Sequence, residues 1–253
     1  MTRYRIRLAA HRERLRGARE DGFTLTELVV ACMIMGLVTS GGFLVLTGAL
    51  RTSQGTKDRL TDINNARLAV SSMSRSLRTA VLPSQLDDNT SGVTAAFIQG
   101  GATSVSFYAD INNPVTLPVS GNTRYGPSQV SYTVTGPTTN QVLTQTIQPP
   151  NLHDVNDHNY QYCTPGSAGC VVYTTVLARG VDASASKPLF VYYQADGTVL
   201  GTLSAGNLDD VDSIDIRVGM DNVSTSPMGT SSFTTRVSLP NHESLLRQQN
   251  GAP

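Results

Sequence analysis

Hydrophobic and polar positions fall into three regimes along the chain. From Phe23 to Leu50 nearly every residue is apolar, and Glu27 is the only charge in the run. A helix of this length spans about 40 Å, more than the ~30 Å of bilayer hydrocarbon. From Leu60 the apolar residues thin to one stripe, with Leu60, Ile63, Val70, Met73, Leu77 and Val81 in steps of three and four and Ala66 filling the gap. That spacing predicts one face of an amphipathic helix, with Arg59, Arg67, Arg75 and Arg78 off the stripe and Pro83 ending it. One long helix is therefore expected over residues 24–82, with Gly41-Gly42 and Gly55 as soft points.

After Pro83 the period shortens. Short β-like runs are expected at 93–98, 104–108, 129–134, 142–147, 171–178, 189–193, 213–218 and 232–239, separated by Gly, Pro and Asn. Val130, Tyr132 and Val134 alternate with Ser131 and Thr133, as in a half-buried antiparallel sheet. Ala195-Asp196-Gly197 predicts a turn after the 189–193 strand. The expected fold class is α+β: a long N-terminal helix whose amphipathic half packs on an antiparallel β-rich domain.

Charge changes this picture mainly at the N-terminus. Formal net charge over the 253 residues is zero. Arg3, Arg5, Arg7, Arg12, Arg14, Arg16 and Arg19 nevertheless crowd the start, against Glu13, Glu20 and Asp21. By the positive-inside rule this leader stays cytoplasmic and the remainder crosses. Past Arg78 acidic residues outnumber basic ones, which argues against a nucleic-acid face and for no specific nucleic-acid site. A cleavable secretory signal, cut near Ala49, is the competing reading of the N-terminus, but its apolar core would be unusually long.

Cys32 lies in the apolar run and reads as a small hydrophobe. Cys163 and Cys170 flank the turn-forming TPGSAG and can close a loop as a disulfide in an oxidising compartment; two free thiols are the alternative. Asp209, Asp210, Asp212 and Asp215 offer carboxylates for calcium. The alternation of Ile214, Ile216 and Val218 with Asp215 and Arg217 more simply gives a strand with an acidic outer face. His153–His158 (HDVNDH) carries metal-capable side chains without zinc-site spacing and reads as a polar loop. No G-x-S-x-G, HExxH or P-loop is present, so neither an enzyme nor a cofactor or metal is expected.

Glu27 is the remaining question. Thr24-Leu25-Thr26-Glu27 fits the T-x-x-E capping box, and a carboxylate suits the positive end of a helix dipole. That reading leaves Gly22-Phe23 and the basic leader without a role. Gly22-Phe23-Thr24-Leu25-Thr26-Glu27-Leu28, behind a basic leader and ahead of a membrane-length run, resembles the N-terminal signature of type IV prepilins and type II secretion pseudopilins. The resemblance implies cleavage after Gly22 by prepilin peptidase, N-methylation of Phe23, and Glu27 as the assembly residue. Asp21 stands where family leaders usually carry Lys or Arg, and Thr26 where Ile or Val is common.

It further implies a leader over 1–22 removed on maturation, a transmembrane and assembly helix over 23–50, its amphipathic continuation over 51–82, and a β-rich extracytoplasmic head over 83–253. Other pilin or pseudopilin subunits, an inner-membrane assembly platform and, before assembly, membrane lipid are the implied partners. RLAVSSMSRSLRTAV (67–81), VLARGV with PLFVYYQADGTV (176–199), and VDSIDIRVGM with the later RVSLPN resemble J-type minor pseudopilins and W-type minor pilins. The rival from another class is an anchored or secreted binding or adhesion domain that never polymerises.

Overall fold

A computed structural model of the chain describes residues 22–82, 95–111, 121–138, 140–154, 160–220 and 231–239. The chain divides into two compact units, Met1–Gln54 and Gly55–Pro253. Helix α1, Leu25–Arg78, supplies residues to both and runs unbroken through Gly41-Gly42 and Gly55.

In the first unit α1 is apolar on all sides and exposed on all sides, including Met33, Leu37, Phe43 and Leu46. It is long and apolar enough to cross a membrane. The hydroxyls within the apolar run bond back to its own carbonyls: Thr39 Oγ1 donates to Met35 O at 2.7 Å, Ser40 Oγ to Leu37 O at 2.9 Å and Thr47 Oγ1 to Leu44 O at 3.0 Å. Such internal satisfaction is what a lipid-facing helix needs from its Ser and Thr residues.

In the second unit the amphipathic end of α1 packs on antiparallel sheet. The strands are β1 Phe97–Gly100, β2 Ser104–Ala109, β3 Asn122–Thr123, β4 Ser128–Thr135, β5 Gln141–Gln148, β6 His153–Asp154, β7 Tyr173–Val181, β8 Phe190–Tyr193, β9 Val199–Leu200, β10 Ser213–Met220 and β11 Ser231–Ser238. Nine form one sheet in the order β1-β2-β4-β5-β7-β10-β8-β9, with β11 on the other side of β10; β3 and β6 form a separate ribbon. Ala66, Ala69, Met73 and Leu77 of α1 share the core with Phe97, Phe107, Tyr132, Leu143, Tyr192, Ile214 and Ile216. Val130 and Tyr132 point inward as the alternation of β4 predicts, and Val134 packs at the edge of the core.

Several expectations change. The helix ends at Arg78, because residues 79–82 leave it to pair with the end of β2. Ala80 bridges Ala109, and the Val81 amide donates to Tyr108 O at 3.0 Å. Leu60 is 55% exposed, whereas Ala69, outside the expected stripe, is buried; small side chains let α1 approach the sheet closely. Asp215 does not belong to an acidic outer face: it is 6% exposed beneath Arg217 and Arg236. The run expected at 93–98 is strand only over 97–100, with residues 93 and 94 outside the described residues. The 171–178 run forms a strand shifted to 173–181, and the turn after β8 is closed by Asp196, which accepts from the Thr198 amide at 2.8 Å.

Candidate processing and assembly site

Gly22, Phe23 and Thr24 lead into α1. Thr24 is its N-cap: its carbonyl accepts from the amides of Glu27 at 3.0 Å and Leu28 at 3.1 Å, and its Oγ1 accepts from the Glu27 amide at 3.3 Å. This is half of a capping box. The reciprocal half is missing, since the Glu27 carboxylate is exposed and has no hydrogen bond or ion pair among the described residues. Phe23 is 80% exposed beside it. A Cβ added at Gly22 would meet nothing within 4 Å, and its φ lies outside the left-handed region. Among the described residues, neither packing nor backbone conformation therefore requires glycine there.

The other candidate residues lie in the second unit. Cys163 and Cys170 are joined by a disulfide, and Gln148 Nε2 donates to Cys163 O. The free Cys32 is exposed on the apolar helix. Asp215 accepts from Arg236 Nε at 2.7 Å, Tyr193 Oη at 2.9 Å and Arg217 at 3.1 Å. The Arg236 hydrogen bond outweighs burial, and the Asp215 carboxyl is pulled down to about 2. Arg236 also stacks 4.1 Å above the Tyr193 ring. A carboxylate already neutralised by two guanidiniums is a poor calcium ligand. Asp210 instead takes a bond from Gln194 Nε2 at 3.3 Å.

His153 lies in β6, with Nδ1 2.9 Å from Asn151 O and its ring edge-on to Tyr160. Asp157 and His158 of the same motif lie outside the described residues. Among the described residues no three His, Cys, Asp or Glu side chains converge as a metal site. The buried hydroxyl of Tyr132 accepts from Gln145 Nε2 at 2.9 Å, and desolvation pushes its pKa up to about 12. Burial raises Tyr162 and Tyr192 in the same direction. These phenols are core polar groups held neutral. Sequence alternation gave no sign of the Asp215–Arg236–Tyr193 cluster, because its members lie on three strands whose order it does not encode.

Residues 17–43 match a known family profile, the prokaryotic N-terminal methylation motif. The match takes in Gly22, Phe23 and Glu27 and stops before the second unit begins. No curated protein matches the chain. A prepilin-type methylation motif at the head of a membrane-length helix, followed by an α+β unit, fits a single-pass, membrane-anchored protein of pilin-like construction. More narrowly, the motif supports a type IV pilin- or pseudopilin-type subunit, processed by prepilin peptidase and assembled with other such subunits.

Proposed function

We propose that the chain is a minor pilin or pseudopilin, a structural subunit rather than an enzyme. It is inserted with its N-terminus in the cytoplasm, cut after Gly22, methylated at Phe23 and polymerised through residues 23–50. The observation that carries this reading is the Glu27 carboxylate, without a partner among the described residues, inside the methylation motif and the sole charge of the apolar run from Phe23 to Leu50. Cleavage frees a cationic α-amine at Phe23, and N-methylation of that amine keeps the charge. In a packed apolar bundle each lone charge is costly. Pairing Glu27 of one subunit with the Phe23 amine of its neighbour offsets part of both penalties, and removing either partner strands the other. The pair thereby sets the height at which a new subunit docks on the inner-membrane platform. A glycine at 22 that the fold does not need agrees with selection by a peptidase.

The order β7, β8-turn-β9, β10 and β11 follows the segments that resemble J- and W-type subunits, which favours a minor subunit near a filament tip. The Cys163–Cys170 disulfide agrees with an extracytoplasmic head. N-terminal mass analysis of the protein from a host with prepilin peptidase tests the reading. N-methyl-Phe23 is expected, with Gly22→Val abolishing cleavage and Glu27→Ala permitting cleavage while losing filament incorporation. An intact leader would instead support an anchored binding domain, a cut near Ala49 a secreted one, and normal incorporation of Glu27→Ala would end the ion-pair mechanism.

A further inference from the structure

We propose that two copies of this chain pair antiparallel along the outer edge of β7, with Thr174 on the two-fold axis. β5 pairs with β7 along its whole length. On the other side β10 reaches it only at Val181–Met220, since the rest of that β10 edge is given to β8 over Ser213–Ile216. The sheet forks there. Among the described residues nothing pairs with the outer edge from Tyr173 to Gly180.

The open part is also uncovered on both faces. Tyr173, Thr174, Thr175 and Val176 are all exposed, Tyr173 at 59% and Val176 at 45%. Natural sheets guard such edges with charges, proline, bulges or very short strands. From Val171 to Ala178 this strand has neither charge nor proline, and it is rich in β-branched and aromatic residues. Its register shifts against β5 fall only after Val176, at Leu177 and Gly180. The disulfide ending at Cys170 anchors the segment just before it. Another outer edge, on β11, carries a charged residue, Arg236.

Self-pairing suits this edge. A two-fold axis normal to the sheet requires opposed residues of equal parity, so one residue must face its own copy. The regular stretch 172–176 is centred on Thr174. Pairing about Thr174 sets Val172 opposite Val176 and Tyr173 opposite Thr175, with Thr174 opposite itself. Pairs of these types are favourable across antiparallel strands. Each Arg179 lies five residues from the axis, so no like charges are opposed. A two-fold contact closes at two copies. It therefore joins free subunits or neighbouring filaments rather than extending one, and it does not depend on the proposed processing.

The test uses the full chain in a Cys32→Ser background, in detergent and in membranes, under mild oxidation. Thr174→Cys places two cysteines within about 4.5–5.5 Å Cα–Cα across the pair, inside disulfide reach. Thr175→Cys places its copies beyond about 7 Å, outside that reach. Disulfide dimer should form at least about tenfold faster for Thr174→Cys than for Thr175→Cys. Adding Val176→Lys should abolish that preference while leaving the unfolding midpoint unchanged, because Val176 is exposed. Equal rates at the two positions, a dimer indifferent to Val176→Lys, or Thr174→Cys cross-linking to a different polypeptide would each overturn the proposal.

Discussion

At the scale of single residues, the charged groups of this protein divide by whether their partners lie within the described chain. Asp215 has three partners, and its low pKa is a statement about stability. A carboxyl depressed when folded stabilises fully above its unfolded value near 3.9 and loses that contribution as pH falls toward about 2. The two-unit depression caps the effect at about 2.6 kcal/mol, and the half-exposed arginines reduce it to about 1–2 kcal/mol. Urea unfolding from pH 6 to pH 2 should thus show a decline below pH 4 that Asp215→Asn flattens. An equally steep decline in the variant would place the acid sensitivity elsewhere. Glu27 is the opposite case. Its spacing from Thr24 fits both a capping box and an assembly residue, and the side-chain positions bear on the first alone: the Thr24 half of the box is formed and the Glu27 half is not.

At the scale of the elements, α1 carries two chemistries along one sequence of helical residues. Where its apolar residues cover every side, none is buried in the first unit; where they narrow to a stripe, Met73 and Leu77 are fully enclosed. Leu77→Ala should therefore cost about 2–5 kcal/mol of head stability by leaving a cavity. Leu68→Ala, at a position 69% exposed, should stay within about 0.5 kcal/mol. Thermal unfolding followed by β-sheet circular dichroism measures both, and equal losses would mean that the helix face is misassigned. The helix and most strands were legible because each repeats a local period. The end of α1 was not: Val81 continues the helical spacing, yet residues 79–82 are bound by β2, more than twenty residues away. Leu60 and Ala69 show the same limit, since apolar periodicity records side-chain type and not how near the sheet lies. The processing motif was legible for the opposite reason, being contiguous and independent of the fold.

At the scale of the whole β-rich unit, the strand path nearly closes on itself, and no alternation pattern could reveal where. β1 and the segment after β9 meet at the Gly100–Leu203 bridge, where the Leu203 amide donates to Gly100 O at 2.7 Å. The Leu189 amide reaches Ala102 O at 2.7 Å beside it. Glycine is required at this seam because a Cβ on residue 100 would stand 2.6 Å from Tyr192 Oη, 2.7 Å from its Cζ and 2.8 Å from Leu203 Cδ1. Tyr192 cannot easily yield: it is fully buried, and its hydroxyl lies 3.1 Å from Gly101 O and 3.2 Å from Ser104 O, either of which can accept its proton. Gly100→Ala should accordingly cost about 1–3 kcal/mol by overpacking, and Tyr192→Phe about 0.5–1.5 kcal/mol by removing the hydroxyl's hydrogen bond to the Gly101 or Ser104 carbonyl. The double variant should be less destabilised than the sum by at least about 0.5 kcal/mol, since losing the hydroxyl makes room for the methyl. Additive losses in a double-mutant cycle of urea unfolding would show that the two residues do not share one contact. The closure would then rest on its backbone hydrogen bonds alone.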